Sequence, residues 1–313
     1  MTRPAKVAHV FPGQGAQWVG MGRDLYDSFA SAKAVFEQAD QVLGLALSRL
    51  CFEGPETELR LTINAQPAIL TVSYACLMAI HEIAESSLPE PAFVAGHSLG
   101  EYTALAASGV LDFADAVFLA RERGRLMHQA GLQEPGGMVA VIGLEEILLA
   151  DVCNKTGTCI ANINCPGQLV ISGAMLNLSK AAELAQARGA SRLIPLEVSG
   201  AFHSSLMQTA REGLSEIIGR LNFQRPSIPV IANVTALPLT TAEEVKTELV
   251  KQLTSGVQWQ RSVEYMINAG ASAFIEIGPG KVLSGLIKRI NRAAETRNFG
   301  SVESIKNLGN PSP

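Results

Sequence analysis

Phe93-Val94-Ala95-Gly96-His97-Ser98-Leu99-Gly100-Glu101-Tyr102-Thr103-Ala104-Leu105-Ala106-Ala107 passes from a short apolar strand, through a turn with a serine between two glycines, into a run of helix formers. A Gly-x-Ser-x-Gly turn with those flanks has the strand–turn–helix context of a nucleophile elbow. The glycines permit a sharp reversal, so Ser98 stands above a sheet edge with the backbone N–H groups of a helix start beside it. Without the flanks the motif would be weak, because Gly and Ser are common in ordinary turns.

Outward from the elbow, short apolar runs alternate with stretches of helical period, the pattern of a mainly parallel α/β protein. Val7–Phe11 reads as a first strand and Pro12-Gly13-Gln14-Gly15 as a turn, followed by helices over 25–38 and 65–83. Asp112–His128 reads as a further helix, acidic at its start and basic late, as the helix dipole favours. Between Gly137 and Leu196 the order becomes β-α-β-β-α-β, the split βαβ pattern of a ferredoxin-like unit. The expected organisation is a large α/β-hydrolase-like domain with a parallel sheet core over residues 1–130 and 201–290. A ferredoxin-like insert fills 131–200. Residues 291–313, rich in Asn, Gly, Ser and Pro, read as a surface tail.

Composition narrows the function. The chain has 313 residues, 47% hydrophobic and 17% charged, with a formal charge of −4 and no basic block. That speaks against a nucleic-acid-wrapping or membrane-surface protein. The five scattered cysteines suit a reducing compartment, and with no CxxC pair or neighbouring histidine they form no metal set. No signal peptide is seen, so a cytoplasmic setting is expected. The apolar window 65–80 is broken by Gln66, Pro67 and Ser73 and reads as a buried helix rather than a membrane span.

A serine hydroxyl needs a base, and histidine suits neutral pH. Of the five histidines, His9 lies inside a strand, His81 and His128 late in helices, and His97 should point away across the elbow. His203, in the polar loop Ser199–Ser205, could swing over Ser98 with Phe202 beneath it. A hydrogen-bonded loop histidine reads equally well from the residues alone. Arg123, between Arg121 and Arg125, reads by itself as a surface-helix arginine.

Four stretches stand out together, Phe11-Pro-Gly-Gln-Gly-Ala-Gln17, Gly96-His-Ser-Leu-Gly-Glu-Tyr102, Arg121-Glu-Arg-Gly124 and Ala201-Phe-His-Ser204, with support from Asn64–Ala68 and Ile277–Gly280. In these the chain resembles the malonyl-CoA:acyl carrier protein transacylases and the acyltransferase domains of fatty acid and polyketide synthases. The resemblance implies Ser98 as nucleophile, His203 as general base, and Arg123 holding the free malonyl carboxylate. It further implies an oxyanion hole from the backbone N–H groups of Gln14 and Leu99, Gln252 orienting His203 through backbone contacts, and Phe202 limiting space for an α-methyl branch. The implied substrates are malonyl-CoA and an acyl carrier protein that carries the phosphopantetheine. No cofactor, metal, nucleic acid or membrane is implied, and the expected form is a free-standing monomer. Lys281, Lys288 and Arg289 are candidate carrier contacts, though they read equally well as ordinary helix-surface charge. The rival readings are a serine hydrolase with an acid among Asp112, Asp115 and Asp151, and a carrier-binding scaffold without turnover.

Overall fold

The computed structural model describes residues 6–84 and 88–308. Its strands, in chain order, are β1 (Lys6–Phe11), β2 (Phe93–Gly96), β3 (Gly136–Ile142), β4 (Cys159–Cys165), β5 (Gln168–Ala174), β6 (Arg192–Pro195), β7 (Val230–Ile231), β8 (Pro238–Leu239), β9 (Ala271–Ile277) and β10 (Glu295–Phe299). They make two sheets. The larger has the order β10-β9-β1-β2-β7-β8, parallel throughout except for the β7–β8 pair.

β1 and β2 lie at the centre and are apolar on both faces, as parallel strands covered on both sides must be. Val7, Phe11 and Val94 face one buried cluster with the long helices, while Ala8, Val10, Phe93 and Ala95 face a second with Trp259, Leu283 and Ile287. Parallel pairing of β1 with β2 sets Phe11 beside Gly96, so the Pro12–Gly15 turn and the Ser98 turn leave the sheet together at its carboxyl end. Open α/β sheets place their sites there.

The smaller sheet, β4-β5-β3-β6, is antiparallel and packs two helices, Glu146–Thr156 and Met175–Ala187, on one face. Its spatial order of second, third, first and fourth strand is the ferredoxin-like arrangement of a β-α-β-β-α-β chain. β4 leans on the large unit through a parallel bridge from Asn162 to Val257. The two sheets therefore stand side by side with a cleft between them.

The structure amends three sequence readings, one of them only in part. Residues 291–313 are not simply a surface tail: Glu295–Phe299 pairs in parallel with β9, the helix Val302–Lys306 follows, and Phe299, Ile305 and Leu308 are buried. Residues 309–313 lie outside the described residues. The helix Thr62–Ala84, despite its polar breaks, is long and apolar enough to cross a membrane by length and composition. It is nevertheless an interior element, with 78% of its most apolar window buried. The helical reading of 25–38 is also divided, into Arg23–Ser28 and Ala30–Leu43, because Phe29 is extended.

Candidate active site

Backbone geometry places Ser98 before any side chain acts. The chain doubles back from β2 into the helix Gly100–Ala107, leaving Ser98 in the left-handed region at φ 51°. A Cβ on Gly96 would lie 1.8 Å from the Gly100 carbonyl carbon, and one on Gly100 would lie 2.1 Å from the Phe11 carbonyl oxygen. Only glycine allows that approach. The left-handed conformation costs a serine about 1 kcal/mol, and Asn233 bridges the turn against it. The Asn233 Oδ1 accepts the Ser98 N–H at 2.7 Å, and its Nδ2 donates to the Gly96 carbonyl at 2.8 Å.

His203 arrives from the loop after the small sheet, also left-handed at φ 59°. Its Nε2 lies 2.9 Å from Ser98 Oγ, and its Nδ1 lies 2.8 Å from the Gln252 carbonyl oxygen. A carbonyl only accepts, so Nδ1 carries the proton and the Nε2 lone pair faces the serine hydroxyl. Burial, and then the Arg123 cation, push the His203 pKa down from 6.5 to about 3. The ring therefore stays neutral at physiological pH. Among the described residues no carboxylate bonds to Nδ1: Asp112 caps the helix that contains Asp115, and Asp151 pairs with Lys155 and Arg188. This removes the acid a hydrolase triad would need.

Arg123 is 1% exposed, not a surface arginine. It lies on the helix Phe113–Gln133, where a step of two residues turns a side chain to nearly the opposite face. Arg121 consequently bonds to Ile63 and Asn64, and Arg125 to Glu122, whereas Arg123 points inward. Its Nη1 donates to Gln66 Oε1 at 2.6 Å, and its Nη2 donates to Gln252 Oε1 at 2.8 Å and to Ser98 Oγ at 3.1 Å. The guanidinium carbon lies 5.2 Å from the Tyr102 ring centre. Its Nε has no partner among the described residues.

The Gln14 side chain joins the same network. Thr62 Oγ1 donates to Gln14 Oε1 at 2.9 Å and accepts from Gln66 Nε2 at 2.8 Å. Among the described residues, the backbone N–H groups of Gln14 and Leu99 donate to no protein acceptor. Gln252 bonds through its carbonyl to His203 and through its side chain to Arg123, Ser98 and Glu101. His97 turns from Ser98 to Asn164 of β4 at 2.8 Å, and its burial lowers its pKa. The cleft encloses about 340 Å³. Gln14, Ser98, Arg123, Phe202 and His203 line one side, and Met138, Asn162 and Leu196–Val198 the other. Lys281 and Lys288 are exposed, while Arg289 donates to Gln168 of the small sheet at 2.6 Å.

The sequence profile described as Acyl transferase domain matches residues 8–308. The malonyl CoA-acyl carrier protein transacylase of Bacillus subtilis (strain 168) is 46% identical over 307 residues, covering 96% of each chain. The chain belongs to the malonyl-CoA:acyl carrier protein transacylase family. Among solved structures, the acyl-carrier-protein-S-malonyltransferase of Bartonella henselae superposes with TM-score 0.93 at 40% identity, over 97% of this chain and 99% of that one. A malonyl-transacylase in complex with a type II PKS acyl-carrier protein matches with TM-score 0.93 at 37% identity, over 98% of this chain and 100% of that one.

Within this family member the sequence reading missed the supporting residues. Glu101 is fully buried, accepts from the Asn233 N–H at 3.0 Å and from Gln252, and lies near buried Glu248. Burial, reinforced by Glu248, raises the Glu101 pKa well above the usual carboxylate range. A signal existed for Glu101, an acid within an otherwise apolar helix directly after the elbow motif. Asn233 carried none, because its partner lies 135 residues away.

Proposed function

We propose that the chain transfers a malonyl group from malonyl-CoA to the phosphopantetheine thiol of an acyl carrier protein, through an ester on Ser98. The observation that carries this reading is the pair of contacts on one oxygen: His203 Nε2 at 2.9 Å and Arg123 Nη2 at 3.1 Å from Ser98 Oγ. A base alone would fit many acyl transfers. A buried guanidinium beside the nucleophile fits an acyl group that ends in a carboxylate, which a planar fork meets with two charge-assisted bonds.

In the first half-reaction, Ser98 Oγ bonds to the thioester carbonyl carbon while its proton passes to His203 Nε2. The N–H groups of Gln14 and Leu99 receive the developing oxyanion, an interaction worth roughly 3 kcal/mol per well-aimed donor. The C–S bond then breaks, and His203 returns the proton to the departing CoA sulfur. In the second half, His203 takes the proton of the carrier's thiol as its sulfur attacks the ester carbonyl, and then gives it to Ser98 Oγ as the C–O bond breaks. Gln252 fixes the base through its carbonyl and the clamp through its side chain, and Phe202 restricts the acyl pocket. The small sheet supplies the opposite wall. We place the activity in the cytoplasm and in a monomer; the five scattered free cysteines support the reducing setting.

The test is an intact-mass measurement after brief mixing with malonyl-CoA, beside Ser98→Ala, Arg123→Ala and an acetyl-CoA control. A malonyl adduct on the unmodified chain, absent without Ser98 and strongly reduced without Arg123, is expected. A folded sample that forms no adduct and turns over no thioester would overturn the reading.

A further inference from the structure

The base and the clamp act on the Ser98 side chain, but its backbone is held from elsewhere. Successive amides through the elbow are nearly all committed. The His97 N–H donates to the Phe11 carbonyl at 3.1 Å, the Gly100 N–H to the His97 carbonyl at 2.9 Å, and the Glu101 N–H to the Ser98 carbonyl at 3.2 Å. The Ser98 N–H goes to Asn233 Oδ1. Among the described residues, the Leu99 N–H alone in this run has no protein acceptor.

Asn233 is itself fixed on every side. It is 2% exposed, its N–H donates to Glu101 Oε1, and its carbonyl accepts from the Gln258 N–H at 2.7 Å. The next amide, that of Val234, donates to buried Glu248 at 2.7 Å. Its side chain thus spans the turn from a rigid mount, joining the Gly96 carbonyl to the Ser98 N–H.

Resting on the reaction proposed above, we propose that Asn233 is a positioning residue that locks the left-handed turn at Ser98 and so keeps the Leu99 N–H aimed at the acyl carbonyl oxygen. Ser98 holds φ 51° against its own preference. Releasing its N–H lets the residue relax, which rotates the following peptide plane and with it the one uncommitted donor. A misplacement of about 1 Å in such a constellation costs on the order of 10²-fold in rate.

The experiment measures the single-turnover rate of malonyl-Ser98 formation for Asn233→Ala, Asn233→Ser and Asn233→Asp, with the unmodified chain and Ser98→Ala alongside. The Ala and Ser variants should acylate about 30- to 100-fold more slowly, with KM for malonyl-CoA within about threefold. The pH midpoint of acylation should not move, because His203 keeps its contacts. Asn233→Asp keeps an acceptor for the Ser98 N–H but sets its second oxygen against the Gly96 carbonyl, so it too should acylate more slowly than the unmodified chain. If the Ala variant does not fold, the Ser and Asp variants make the same comparison. Unchanged acylation rates, a loss confined to KM, or a displaced pH midpoint would overturn the inference. Absence of an ester on the unmodified chain would instead overturn the reaction on which it rests.

Discussion

The Ser98 turn and the His203 loop each hold a non-glycine residue in the left-handed region, at φ 51° and φ 59°, but neighbouring residues contribute differently to the two. The reversal at Ser98 is permitted by its own neighbours, because Gly96 and Gly100 approach each other and the end of β1 at distances no side chain allows, and Asn233 then locks it from 135 residues away. The histidine loop is braced locally by Ser204, whose Oγ donates to the Ala201 carbonyl at 2.6 Å, but the ring of His203 is oriented by the distant Gln252 carbonyl and by Ser98. The path of the turn at the proposed nucleophile is legible in a dozen residues, whereas its locking and the placement of the proposed base belong to the tertiary fold.

The largest effect should come from removing the nucleophile. Ser98→Ala should abolish the ester and lower transfer by at least about 10⁴-fold, measured by mass spectrometry and a transfer assay. His203→Ala should cost about 10³-fold in acylation rate in stopped-time assays. If that variant also loses substantial stability in denaturant, the loop depends on its histidine for shape, and the contrast with the elbow sharpens. Gly96→Ala tests the local code directly. It should destabilise the chain by about 3 kcal/mol in urea titration, and an alanine accepted without loss would break the comparison.

Smaller effects concern the clamp. Arg123→Lys keeps the charge without the fork, and should lower kcat/KM for malonyl-CoA by about 10²-fold while acetyl transfer changes little. The least change is expected in the pH profile of Arg123→Ala. The Arg123 cation opposes protonation of His203, so its removal raises the His203 pKa from about 3 and moves the acid limb of acylation to higher pH. An acid limb that moves lower, or stays fixed, would mean that Arg123 does not act on the base.

The contrast explains what the sequence made legible. The elbow and the β-α-β-β-α-β unit show in local pattern, because each is specified within one stretch. Arg123 looked like a surface residue because it stands between Arg121 and Arg125 in a charge-rich stretch, and only helical phase separates the three. The pairing of His203 with Ser98 spans 105 residues, and from the residues alone remained one of two readings until the resemblance was considered. Asn233 was missed because its role exists only where distant segments meet, and Glu101 because an acid in an apolar helix does not by itself name its partner. The strand Glu295–Phe299 escaped because its alternation of charged and polar residues reads as loop, and its identity comes from pairing with β9.

That last strand has a practical consequence for expression. β9 is Ala-Ser-Ala-Phe-Ile-Glu-Ile, an aggregation-prone sequence, and β10 covers its free side with Glu-Thr-Arg-Asn-Phe. Charged edge strands discourage sheets from growing by addition of further chains. Truncation at residue 290, the boundary suggested by composition, would strip that cover and leave an apolar ladder open to intermolecular stacking, so a shortened chain should be recovered as insoluble material while one ending after Leu308 stays dispersed.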